Sequence, residues 1–152
     1  MPRFRFNLDA VLKLRRREER DKQLVVASFE QERLALEDRI RSLQRGIVQE
    51  RLDLRDRLGG DSTTVRLVDV RVQANAGLHM VARAQRAVLE LAGVHKRLEF
   101  ARNELLETTK KRKAVETLRD RRFDEWRSEQ NRREAGELDE LSVMAAHRKD
   151  AS

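Results

Sequence analysis

The apolar residues in the first half of this chain recur at alternating spacings of three and four. This spacing constrains the fold more than any other feature, because it fits a helix that buries one narrow seam. Charged residues interrupt the seam and favour a weak or locally open one. The pattern predicts a first helix over residues 8–58, with Asn7 as its N-cap. The apolar seam positions are Leu8, Leu12, Val26, Phe29, Leu36, Ile40, Leu43, Ile47 and Leu54, and the charged ones are Arg15, Glu19, Lys22, Arg33, Glu50 and Arg57.

The spacing is interrupted at the stretch LGGDSTT, where Gly59 and Gly60 precede polar residues that favour a new N-cap. We predict a turn over residues 59–63 and a second helix over 64–148. The only proline is Pro2, so nothing downstream forbids long helices. The apolar spacing shifts between Val81 and Leu91, which indicates a local change in supercoil. The second ladder comprises Leu67, Val70, Ala74, Leu78, Val81, Val88, Leu91, Val94, Leu98, Ala101, Leu105 and Val115.

Two long helices joined by a short turn fold back antiparallel. We therefore predict an all-α fold, a long two-helix antiparallel coiled-coil hairpin with a C-terminal helical overhang. The hairpin forms a single coiled-coil domain over residues 1–152. With the tip near residue 61, Gly46 is expected to lie opposite Gly77.

The composition supports this class and argues against an enzyme. Charged residues make up 40% of the chain and aromatic residues 4%, whereas a globular domain is about 25% charged. There is no cysteine, and the three histidines are too far apart to act as i, i+4 metal ligands. We predict no catalytic site, no cofactor and no bound metal. No apolar run has the roughly 20 residues of a membrane span or the continuous core of a secretory signal.

The net charge of +7 is spread over a chain in which both signs alternate. Two basic clusters, residues 15–17 and 110–113, fall at nearly the same level of the predicted hairpin. They are typical of a solvated helix face, with contact to an acidic protein surface, phosphates or anionic lipid as the alternative. Stacking aromatic residues are not interleaved with them, which argues against binding of nucleic acid.

Four of the six aromatic residues gather at the open end of the predicted hairpin: Phe4, Phe6, Phe123 and Trp126. They either pack as a local core or form a docking surface, since aromatic residues with arginine are frequent interface anchors. Near the C-terminus, Leu138 and Leu141 form a short apolar stripe on a charged helix.

The two ends of the chain resemble one family. The opening FRFNLDAVLKLRRREE is similar to the F-x-F-x-L-x-x-V-L-x-x-R start of the flagellar export protein FliJ family. The late stretch from 111 to 141 resembles the family's closing K-A-x-E-x-L-x-x-R run, arginine-rich helix and L-D-E motif. The matching residues are Phe4, Phe6, Leu8, Val11, Leu12, Arg16 and Glu19, then Lys113, Ala114, Glu116, Leu118, Arg119, Arg122, Leu138, Asp139 and Glu140.

The resemblance implies a non-enzymatic stalk of the flagellar type III export apparatus. It would be cytoplasmic and peripheral at the inner face of the cell membrane. The implied partners are the export ATPase hexamer, the cytoplasmic domain of the export gate protein FlhA, and export chaperones. The residues that we expect to contact the ATPase ring are Phe4, Phe6, Arg16, Arg122, Phe123 and Trp126.

The expected gate contact lies near the tip and comprises Leu54, Leu58, Leu67 and Val70. The C-terminal motif Leu138, Asp139 and Glu140 would steady the overhang or contact the ring. Three alternatives remain at this point: the equivalent stalk of an injectisome, a basic coiled coil that binds nucleic acid or a membrane surface, and a scaffold that homodimerises. An intramolecular hairpin predicts a monomer.

Overall fold

The computed structural model describes residues 2–59 and 66–152. Two helices account for nearly all of them, α1 (Asp9–Gly59) and α2 (Leu67–Asp150), and this part of the chain contains no strand. The helices pack against each other as an all-α helical hairpin, which confirms the predicted fold class. Of the predicted turn, only Gly59 is described, as the last residue of α1, and the rest lies outside the described residues.

Helix α1 begins with the carbonyl of Leu8, which accepts a hydrogen bond from the Leu12 N–H at 2.9 Å. Asp9 lies in the first turn, where a carboxylate interacts favourably with the helix dipole. The prediction that Asn7 caps this helix is wrong. Its side-chain oxygen instead accepts a hydrogen bond from Arg122 of α2, so it links the two helices.

The contacts divide the chain into two units. The first comprises the residues up to Arg20 together with Leu106–Ser152. Phe6, Leu12 and Thr108 are its buried residues. Further along α2, every residue from 131 to 150 is helical and exposed. This stretch is the predicted overhang.

The second unit is Asp21–Leu105. Its buried residues are Ala87, Val94, Leu98 and Ala101. Lys22 forms an ion pair across the seam with Glu104 at 3.0 Å, and Arg102 does so with Glu30. These pairs place residues of α1 beside residues of α2 that lie about eighty positions later, as an antiparallel arrangement requires.

The seam of α2 in the second unit is continuous, so the predicted shift near Val81–Leu91 is wrong. The sequence pattern followed the large residues Leu78 and Val88, which are 67% and 51% exposed. Small residues take the seam positions instead, and Ala87 is almost completely buried. The half-buried and buried positions at alternating spacings of three and four are Gly77, Met80, Ala84, Ala87, Leu91, Val94, Leu98 and Ala101.

The register differs from the predicted one at the glycines. A Cβ added to Gly46 would lie 3.2 Å from the Met80 sulfur, whereas a Cβ on Gly77 would meet nothing within 4 Å. Gly46 therefore lies beside Met80 and not opposite Gly77.

The two glycines give a matched test of this register. Gly77→Ala should raise the free energy of unfolding by about 1 kcal/mol, because glycine inside a helix is less stable than alanine by that amount. Gly46→Ala should gain clearly less, since its Cβ would press on the Met80 sulfur. Urea unfolding followed by circular dichroism measures both, and equal gains would contradict the register.

Candidate partner-docking surfaces

Three aromatic side chains contact one another in the first unit. The rings of Phe4 and Phe123 meet edge to face with centroids 5.3 Å apart. Trp126 lies 5.8 Å from Phe4 and 5.9 Å from Phe123, measured between ring centroids. These distances are within the range in which aromatic pairs attract beyond simple area burial. We call Phe4, Phe123 and Trp126 the aromatic cluster.

Arg122, which precedes Phe123 in the sequence, links α2 to the residues just before α1. Its guanidinium carbon lies 5.8 Å from the centroid of the Phe6 ring, a cation–π distance, and it also donates to Asn7. Phe6 is buried, so its ring serves packing. Phe123 is 40% exposed, and Phe4 and Trp126 are half-buried. The cluster is thus partly core and partly surface.

Arg16, the sixth residue predicted for the ATPase contact, belongs to a separate ionic network. It pairs with Glu116 at 3.3 Å, and Arg112 binds both Glu116 and Glu19. Thr109 donates a further hydrogen bond to Glu19 at 3.3 Å. Sequence analysis treated Glu19 as a weak point of the seam, and the structure shows why that interpretation fails. Arg112, which carries the opposite charge, lies at the position of α2 that faces Glu19. This pairing can be recognised only when the register of the two helices is known.

The ionic network shifts the acidity of its members. Partial burial is the largest single influence on Glu116 and opposes its ionisation. The hydrogen bonds and positive charges of Arg112 and Arg16 together outweigh it and hold the pKa of Glu116 below its ordinary value. The hydrogen bonds to Glu116 and Glu19 raise the pKa of Arg112. In the second unit, hydrogen bonds from Arg33 and then Arg102 lower the pKa of Glu30.

The two basic clusters are partly neutralised by such pairs. Arg15 pairs with Glu18 at 3.1 Å, and Lys110 pairs with Glu107 at 3.3 Å. Within the described ranges, Arg17, Lys111 and Lys113 make no ion pair. The free positive charge is therefore smaller than the sequence suggests.

The predicted gate residues differ in accessibility. Leu54 and Val70 are half-buried in the second unit, whereas Leu58 is exposed and Leu67 is 85% exposed. The C-terminal motif is fully accessible. Leu138 and Glu140 are exposed, and the only described contact of Asp139 is its carbonyl, which accepts from the Ser142 hydroxyl at 2.7 Å.

Sequence analysis missed an exposed apolar stripe on α2. Leu67, Leu78, Leu89 and Phe100 are spaced eleven residues apart, which is three helical turns, and all four are more than 60% exposed. We call these four residues the outer stripe. The signal was present in the sequence, but Leu67 and Leu78 had been assigned to the seam.

The structure gives no sign of other chemistry in the regions that it describes. Neither helix there carries an apolar stretch of the length that crossing a membrane requires. Residues 2–59 and 66–152 contain no group of three metal-ligating side chains.

The lowered pKa of Glu116 predicts a pH dependence of stability. A carboxylate whose pKa is lower in the folded state stabilises the fold above its unfolded value, and this contribution is lost as the pH falls through the folded value. Glu116→Gln should therefore lower the free energy of unfolding at neutral pH, and by a smaller amount at pH 3, below the ordinary glutamate pKa of about 4.3.

Urea unfolding at the two pH values tests this, with the exposed carboxylate variant Glu137→Gln as the control. If Glu116→Gln cost the same stability at both pH values, the ionic network would not be what stabilises this region.

Comparison with known proteins supports one family. The family model described as "Flagellar FliJ protein" matches residues 4–151. Nothing matches among curated proteins or among solved structures. The matched range includes the aromatic cluster, the ionic network, the outer stripe and the C-terminal motif. Because the match spans nearly the whole chain, this protein belongs to the FliJ family and is a component of flagellar protein export.

Proposed function

We propose that this protein docks on the hexameric export ATPase through the aromatic cluster and contacts the cytoplasmic domain of FlhA through apolar residues of the second unit. In this proposal it is a non-enzymatic stalk that works at the cytoplasmic face of the membrane and also handles export chaperones. Membership of the FliJ family supports the assignment to the flagellar export apparatus. The finer assignments rest on the surfaces described above.

The observation that carries the proposal is the partial exposure of the aromatic cluster. Phe4, Phe123 and Trp126 contact one another, yet Phe123 keeps 40% of its surface accessible. Aromatic residues and arginine are enriched among the residues that contribute most to binding, and Arg122 is the sequence neighbour of Phe123 and lies over the Phe6 ring. A partner that covers these rings would gain apolar burial without first having to order them.

The exposed end of α2 supports docking of the same region. Every residue of the helix from 131 to 150 is exposed in the described part of the chain, and most helices owe their stability to the packing of an apolar face. This stretch carries the exposed residues Leu138 and Leu141, and the acidic residues Asp139 and Glu140 between them are exposed as well. In the proposed assembly the ATPase ring covers these residues together with the aromatic cluster.

The gate contact is proposed from exposed leucines near the residues that join the helices. Leu58 precedes them on α1 and Leu67 follows them on α2. Leu67 is the first member of the outer stripe, which continues along α2 with Leu78. Exposed large apolar residues that form one stripe on a helix are typical of a docking face.

Phe123 and Trp126 give the direct test. The double variant Phe123→Ala, Trp126→Ala should raise the concentration for half-maximal stimulation of the cognate export ATPase about tenfold, which corresponds to about 1.4 kcal/mol of lost binding. Helicity should remain near the wild-type value, because α2 continues through both positions. ATPase rate and hexamer content are measured against the concentration of the protein.

Phe100→Ala is the matched control, because Phe100 is an aromatic residue with 66% exposure that lies outside the aromatic cluster. It should stimulate the ATPase like wild type. Loss of helicity in the double variant would assign the rings to the core. Unchanged stimulation by the double variant, with helicity retained, would overturn the docking proposal.

A second test addresses the gate. Leu58→Ser together with Leu67→Ser should weaken binding to the cytoplasmic domain of FlhA about tenfold, since two exposed apolar anchors are lost. Leu34→Ser, another exposed leucine of the second unit, should leave this affinity unchanged. Calorimetric titration measures both, and equal affinities for all three proteins would contradict the assignment.

A further inference from the structure

The two helices leave an open cleft between them inside the second unit. Its volume is about 310 Å³, and it is lined by Ile47, Glu50 and Leu54 of α1 and by Gln73, Gly77 and Val81 of α2. An apolar cavity of roughly 150 Å³ accommodates a benzene molecule, so this cleft is large enough for one long side chain. Gly77 contributes to the space, because nothing lies within 4 Å of the position where its Cβ would be.

Two polar atoms of cleft residues have no partner. Glu50 Oε2 and Gln73 Oε1 are both buried from solvent and accept no hydrogen bond. A buried acceptor without a donor costs free energy, about 1–3 kcal/mol and more when the group is charged. Both atoms are acceptors, and one belongs to a carboxylate, so a donor that carries positive charge would complement them.

Arg51 is the one cationic residue that lines the cleft. It forms no ion pair with Glu50 in the described part of the chain. Adjacent residues of a helix do not face each other, so its guanidinium is poorly placed to satisfy its neighbour. No residue of the described part of the chain therefore completes the site.

We propose that this cleft binds an arginine side chain of a partner protein. The aliphatic stem of the arginine packs on Ile47, Leu54 and Val81, and its guanidinium donates to Glu50 Oε2 and Gln73 Oε1. Arginine is favoured over lysine because its planar group presents several donors in a fixed arrangement that can serve two acceptors at once. The inference goes beyond the proposed function, since it does not depend on which component of the export apparatus supplies the arginine.

The test uses n-butylguanidinium, an analogue of the arginine side chain, and butylurea, which has nearly the same shape and no charge. Each is added to the full-length ¹⁵N-labelled protein, and amide shifts are followed by NMR. The proposal predicts saturable shifts at the Gly77 backbone amide and the Gln73 side-chain amide with n-butylguanidinium only, at millimolar affinity. Glu50→Gln should weaken this binding on the order of tenfold, because it removes a charge-assisted hydrogen bond.

Two further variants separate the cleft from surface charge. Gly77→Leu should abolish the shifts by filling the cleft, with helicity retained. Glu32→Gln removes an exposed carboxylate of α1 outside the cleft and should leave the binding unchanged.

Three results would overturn the proposal. Equal responses to butylurea and n-butylguanidinium would mean that charge plays no part. Binding that Glu50→Gln does not weaken, or that survives Gly77→Leu, would place the probe elsewhere. A Gln73 side-chain amide that ignores the probe and is already protected from hydrogen exchange would mean that Gln73 and Glu50 satisfy each other.

Discussion

Packing of the two helices along one narrow seam is the interaction on which the rest of this structure depends. Neither helix can bury its apolar stripe alone, and few residues become fully buried even in the pair. Within residues 2–59 and 66–152 the buried apolar residues are Phe6, Leu12, Ala87, Val94, Leu98 and Ala101. Because so little is buried, ion pairs across the seam, such as Lys22 with Glu104 and Arg112 with Glu19, matter for register. Many large apolar side chains therefore remain available to partners.

The sequence was sufficient to predict the helices, the hairpin and the family, since a long alternating spacing with one interruption has few physical solutions. It did not predict the register or the seam of α2. Large residues such as Leu78 dominate a hydropathy pattern, yet the close packing of two helices favours Ala84 and Ala87 at the seam. The aromatic contacts were predictable because the predicted hairpin brings Phe4, just before α1, close to Phe123 and Trp126 of α2. The ionic network was not, because pairing Glu19 with Arg112 requires the correct register.

The distribution of charge favours a protein partner over nucleic acid for the first unit. Much of the positive charge near Arg16 and Arg112 is already paired with Glu19 and Glu116. What remains accessible is the edge of the aromatic cluster and the unpacked end of α2. In the second unit the accessible features are different: the outer stripe and a cleft with two unpaired acceptors. Each unit thus offers its own chemistry, which suits a component that contacts more than one protein of the export apparatus.

The central claim is that the aromatic cluster is the surface that meets the export ATPase. Replacement of Phe123 by the photoreactive residue p-benzoylphenylalanine tests it most directly, with the same replacement of Leu67 for comparison. After irradiation with the ATPase and the cytoplasmic domain of FlhA both present, the account predicts an ATPase adduct from position 123 and a FlhA adduct from position 67. An ATPase adduct from position 67, with none from position 123, would contradict it.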